Sequence, residues 1–222
     1  MFFNALPNFI FNAFAPIECL NCGQGNDWYC PACQQKLLSS QAEIIIDNYS
    51  DQITKIFCAH SYQNKLVQEL IQTCKYDGIE NAISPLANQL GDLLKTQLSP
   101  TTNYILVPVP LHPRRQRERG FNQSQIIAEV IAKKLNLSVL STERLINTPH
   151  QVGLNGEQRQ KNMKNVFGMA SVGMSVGAQW HCAPTDAIII DDVITTGATI
   201  KSLATILRPY FKNIYAAALA KE

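Results

Sequence analysis

Two adjacent acids, Asp191 and Asp192, close the apolar run Ala187 to Ile190 in the stretch "AIIIDDVITTGATI", and Thr195, Thr196, Gly197, Ala198 and Thr199 follow after Val193 and Ile194. A β-branched run of this kind fills a strand buried on both faces of a parallel sheet, and ligands of open α/β sheets collect beyond the carboxyl ends of such strands. Ile200, Leu203, Ala204 and Leu207 then recur at helical spacing, so the stretch reads strand, loop, helix. The free backbone N–H groups of a helix N-terminus, with hydroxyls around them, suit a phosphate. Carboxylates repel phosphate, so the acids must face another part of the same ligand, either vicinal ribose hydroxyls or a bound Mg2+. A ribose 5-phosphate satisfies both halves, and Gly197 is expected to let the turn pack close to it.

A second cluster is basic. "VPVPLHPRRQRERGFNQSQ" leaves the end of another apolar run with two prolines to fix a turn, and Arg114, Arg115, Arg117 and Arg119 follow. Guanidinium forks bind phosphate oxygens bidentately, so these arginines suit a pyrophosphate if their strand neighbours the acid strand; a solvated basic loop is the alternative. With Phe121 among them, and Trp28 and Tyr29 elsewhere as further aromatic surfaces, they also suit single-stranded DNA, whose bases stack on rings. His112, in the same stretch, reads as a packed imidazole.

The third cluster is "CLNCGQGNDWYCPAC", in which Cys19, Cys22, Cys30 and Cys33 form two C-x-x-C pairs. Four thiolates converging on one point make a tetrahedral site that suits structural Zn2+, and a loop with almost no core of its own would draw its folding energy from the metal. Two disulfides, or a redox C-x-x-C, are the other chemistries open to this spacing. Zinc thiolates would imply a reducing compartment, the cytoplasm. Cys58, Cys74 and Cys182, the rest of the seven cysteines, are scattered.

The elements that must position these groups alternate. Residues 44–62 suit two short strands; Leu66, Val67, Leu70, Ile71 and Cys74 follow helical spacing; Ser84 reads as an N-cap before Pro85 and a helix through Leu94. Tyr104 to Val109 is the next strand, "NQSQIIAEVIAKKLN" an amphipathic helix, and "NIYAAALA" a last strand after the 187–207 unit. Such alternation implies a parallel sheet with right-handed crossovers. Residues 168–186, rich in small side chains, are expected to form a mobile excursion. The 222 residues suffice for one α/β core with a small module attached. A net charge of +2 gives no global attraction for nucleic acid, so any such binding must be local. No run is long enough to span a membrane, and the hydrophobic opening 1–17 reads as a short amphipathic lead packing on the body, with a membrane-surface anchor as the alternative.

The order of these segments, four-cysteine knuckle, "VPVPLHPRRQRERGFNQ", "HQVGLNGEQRQKNMKNVF" and "IIIDDVITTGAT", resembles the ComF family of competence-associated, type I phosphoribosyltransferase-like proteins over residues 16–222. Lys75 and Tyr76 stand where that family carries a lysine–aromatic pair, and Asp77 departs from its usual residue there. The resemblance implies a zinc-binding module over residues 1–40 and a phosphoribosyltransferase-fold domain, a parallel sheet flanked by helices, over 41–222. It implies Asp191, Asp192, Arg119 and Arg159 as catalytic residues. Phosphoribosyl pyrophosphate with Mg2+ is expected at Asp191, Asp192, Thr195 to Thr199, Arg114 and Arg115. Single-stranded DNA, met by Arg114, Arg115, Arg117, Arg119 and Phe121, and other DNA-uptake proteins are the partners it suggests. A salvage phosphoribosyltransferase without direct DNA binding is the alternative.

Overall fold

The computed structural model describes residues 18–24, 27–39, 43–111, 113–140, 143–144, 167–168 and 186–222. The expected lead, His112, Gln151, Leu154, Arg159, Lys161, Asn162, Lys164, Cys182 and most of the 168–186 excursion lie outside them. The chain divides into two compact units, Met1–Gln41 and Ala42–Glu222.

In the first unit, Cys19 and Cys22 lie on a turn, and helix α1, Pro31–Ser39, opens between the second pair of cysteines with proline at its first position, where no backbone N–H is needed. Tyr29 is 1% exposed, so its ring packs inside the knuckle and offers no surface for a base, contrary to the expectation from sequence.

The second unit is α/β. Its elements are β1 Ile44–Ser50, β2 Ile53–Ser61, α2 Lys65–Tyr76, a 3-10 turn Glu80–Ile83, α3 Ser84–Gln97, β3 Tyr104–Pro108, α4 Pro113–Arg119, α5 Gln123–Leu135, β4 Ser138–Val139, β5 Glu143–Arg144, β6 Phe167–Gly168, β7 Asp186–Ile194, α6 Ala198–Leu207 and β8 Asn213–Lys221. Six strands form a sheet in the order β1-β2-β8-β7-β3-β4, and β5 pairs with β6 apart from it. Every pairing in the main sheet is parallel except β1 with β2, which form an antiparallel edge hairpin.

The β-branched run of β7 lies at the centre because alternate side chains find apolar cover on both faces. Ile105, Val107, Ala187, Ile189, Ala216 and Ala218 pack with Ile200, Leu203 and Leu207 of α6. Helix α3 packs on β2 and β8, and α5 on β3 and β7.

Three local details differ from the sequence-based expectation. Ser84 is the first residue of α3 and Ile83 its N-cap, because the 3-10 turn runs directly into the helix. The arginine cluster is not a loop but the helix α4, which begins at Pro113 and ends before Gly120, where φ of +84° favours glycine. Strand β7 continues past the acids to Ile194 on its β8 side, pairing Ile194 with Lys221, while its pairing with β3 stops at Pro108–Ile190. Asp191 and Asp192 therefore sit at the step where one neighbour ends and the other continues.

Candidate functional site at the step in the sheet

Strand β3 is hydrogen-bonded to β7, so the acids and the arginines leave the same end of the sheet from adjacent strands. The junction is tied closely. Val109 N donates to Ile190 O at 2.8 Å, and Asn122 Nδ2 donates to Val109 O at 3.0 Å while its Oδ1 caps α5 by accepting from Ser124 N at 3.1 Å. The segment "RGFNQ" thus folds as helix end, left-handed turn and N-cap, which aims the start of α5 at the acids.

Ser124 Oγ donates to Asp191 Oδ1 at 3.2 Å, and Asp192 N donates to the same oxygen at 2.9 Å. Burial, then the neighbouring Asp192 charge, raises the Asp191 carboxyl to about 7, against the help of these donors and Lys75. Lys75 Nζ lies 2.7 Å from Asp192 Oδ2, with both side chains mostly enclosed. Burial works against this ammonium, but Asp192, through charge and a hydrogen bond, and then Asp191 outweigh it and raise its pKa. The site therefore joins two carboxyl groups to one firmly protonated lysine.

Arg119 continues the rim. Its guanidinium lies 5.9 Å from the centre of the Tyr76 ring and donates to Gln123 Oε1 at 3.3 Å, while Gln123 Nε2 is buried without a partner. Arg114 pairs with Glu118 one turn on at 3.0 Å, and Arg117 is exposed. Burial, then the like charge of Arg119, lowers the pKa of Arg115. Phe121 is half-buried.

Beyond the acids, Thr195 to Gly197 form the loop into α6, whose N-cap is Gly197 at φ +69°. Gly197 makes a close approach possible, but to the chain's own Tyr49 rather than to a guest. A Cβ there would lie 2.2 Å from the Tyr49 hydroxyl. That hydroxyl donates to Thr196 O at 2.9 Å, and Lys201 Nζ rests 4.8 Å from the ring centre. Lys221 Nζ donates to Thr195 O at 3.1 Å. Neither Tyr49 nor Lys221 is legible as a site neighbour in the sequence, since both reach the loop only through the strand order.

The four cysteines of the first unit form a separate candidate metal centre. Their sulfurs all lie within 4.8 Å of one another, and Cys22 and Cys30 are 3.7 Å apart. Tetrahedral Zn–S bonds of about 2.3 Å place sulfurs about 3.8 Å apart, whereas a disulfide would hold them near 2.05 Å. The four sulfurs are not bonded to one another and cluster as a tetrahedral metal site requires. Burial pushes the Cys19 thiol up, but N–H groups of Cys30, Cys22 and Asn21 outweigh it and bring it down to about 6. Asn21 helps the Cys33 thiolate, yet burial and the other sulfurs push that thiol up to about 12, a repulsion that a bound cation would relieve. Among the described residues no helix is long and apolar enough to cross a membrane.

No protein-family model matches the chain. Among characterised proteins it is 26% identical over 196 residues to Competence protein F of Haemophilus influenzae, covering 86% of this chain and 78% of that protein. It is 27% identical over 144 residues to Competence protein ComFC of Bacillus subtilis, covering 65% of this chain and 54% of that protein. With the DNA utilization protein YhgH of Escherichia coli it shares 32% identity over 104 residues, 46% of this chain and 42% of that protein. The chain thus matches about half the length of the latter two relatives. Among solved structures it is similar to an adenine phosphoribosyltransferase, at 13% identity and a TM-score of 0.39 over 85% of this chain and 89% of that one. The match to Competence protein F over most of both chains supports the ComF family, which the order of the knuckle, the RGFNQ segment and the acid pair in this sequence resembles.

Proposed function

We propose that this chain is a phosphoribosyltransferase-like protein of DNA uptake, which binds phosphoribosyl pyrophosphate with Mg2+ at the step in the sheet and engages single-stranded DNA through α4. The observation that carries the reading is the meeting, at one sheet end, of an acid pair, a threonine-lined helix entry and an arginine helix. The names of the relatives support the competence role.

In this reading Asp191 and Asp192 hold the ribose hydroxyls, and the loop from Thr195 to Thr199 holds the 5-phosphate through backbone N–H groups and hydroxyls. Hard carboxylate oxygens fit Mg2+, which would neutralise pyrophosphate oxygens when bound. Arg114, Arg115 and Arg119 face the pyrophosphate, with Arg159 proposed to join them. As an acceptor nucleophile replaces pyrophosphate at the anomeric carbon, charge develops on the leaving pyrophosphate, and fixed guanidinium groups would stabilise it more than the ground state. Lys75 holds Asp192 in place and supplies positive charge beside it. Residues 1–40 would form a structural zinc module.

Calorimetric titration of phosphoribosyl pyrophosphate with Mg2+, followed by anisotropy of a labelled oligonucleotide across a salt series, tests both halves. Binding of the donor without DNA at low salt would favour the salvage transferase; DNA binding that donor does not compete with would move the DNA surface off α4.

A further inference from the structure

We infer that Tyr49 and Lys221 are positioning residues that set the anion-binding face of the 195–199 loop; this rests on the phosphate site proposed above. Every peptide bond among the described residues is trans, so each carbonyl points opposite to the N–H of the next residue. The Lys221 ammonium takes the Thr195 carbonyl and the Tyr49 hydroxyl takes the Thr196 carbonyl, at 3.1 Å and 2.9 Å. The N–H groups of Thr196 and Gly197 are thereby turned to the opposite side. Gly197 then lies in the left-handed region, with right-handed α6 following at Ala198, a change of hand that curves successive N–H groups into a concavity for an anion.

Tyr49 does more than accept a place in the core. Its strand is irregular here: the β1–β2 register shifts between Asp47 and Ser50, and Asn48 has φ +48°. The bulge delivers the tyrosine across the sheet face to a loop 147 residues later in the chain. Its ring fills the space where a Cβ of residue 197 would stand, so the loop cannot settle toward the sheet. The ring also carries the Lys201 ammonium at 4.8 Å, a cation held at the first turn of α6. The ligand recognised by this face is a phosphate monoester, and the edge hairpin is mechanically part of its binding site.

The test is titration of ribose 5-phosphate into 15N-labelled protein, comparing wild type with Tyr49→Phe, which removes only the hydroxyl, and Lys221→Met. Loss of one carbonyl anchor is expected to weaken binding about tenfold and to reduce the ligand-induced shift of the Gly197 amide in Tyr49→Phe, and of the Thr196 amide in Lys221→Met. Ring packing alone predicts no change in Tyr49→Phe. If the wild type binds and both variants bind within twofold with unchanged amide shifts, the inference is overturned and the phosphate site stands. If the wild type does not bind ribose 5-phosphate, the site and the inference fall together.

Discussion

Lys75 Nζ and Asp192 Oδ2 stand 2.7 Å apart, joining the end of α2 to the acid pair on β7. The pair is neither exposed nor fully enclosed, so its value lies between that of a surface bridge and a buried one. Lys75→Met is expected to destabilise the fold by about 2 kcal/mol, because it strands a carboxylate beside a second one. Thermal melting checks this. Lys75→Arg, which keeps the charge, should recover part of the loss.

The buried acid beside this pair, Asp191, gives a pH dependence. Asp191 titrates near 7 in the folded protein, well above an ordinary carboxyl at about 3.9. Between those values the folded chain holds a proton that the unfolded chain has released, so this group's contribution to stability falls as pH rises from about 4 to about 7. Asp191→Asn should flatten that part of the stability profile in chemical denaturation. Binding of Mg2+ needs the ionised form, so its affinity should climb about tenfold per pH unit below the midpoint and level off above it. A pH-independent affinity across 5.5 to 7.5 would show that Asp191 is not a ligand.

Gly197→Ala should cost about 2 kcal/mol or more, from the left-handed backbone and from overlap with the Tyr49 hydroxyl. Combining it with Tyr49→Ala should recover the overlap but not the backbone strain. Additive losses in a double-mutant cycle by denaturant melting would show that the ring and the glycine do not meet in solution.

The first unit should contain one tightly held metal ion per chain, zinc by the sulfur donor set. Elemental analysis of protein prepared without added metal checks this. Chelation should raise hydrogen exchange across residues 18–39. Full protection without metal would contradict it.

The α/β pattern, the acid pair and the cysteine cluster are legible in the sequence because each depends on residues close together in the chain, through periodicity or fixed spacing. Ala187 to Ile190 declares a buried strand by composition alone. What sequence misses depends on strand order. Nothing local to Tyr49 announces that β1 is an antiparallel edge, or that a bulge turns its ring onto Gly197. The arginine helix was hidden for a different reason. "PRRQRER" has no apolar face, so periodicity is silent, and only proline at its start and the left-handed glycine after its end mark it. Tyr29 failed as a stacking surface because a ring between two of the clustered cysteines is drawn inward where little else can fill the knuckle.

In the proposed reading Asp191 and Asp192 hold the ribose of phosphoribosyl pyrophosphate. The most direct measurement is isothermal titration of that compound with Mg2+ into wild type and Asp191→Asn/Asp192→Asn, with melting curves to confirm that both are folded. Asparagine keeps the size and removes the charge that a bound cation or hydroxyl pair would use. Each charge-assisted hydrogen bond lost is worth about 1.5–3 kcal/mol, so the double variant should bind at least about a hundredfold more weakly. Equal affinity in a folded double variant would contradict the assignment of these acids and, with it, the account of the site.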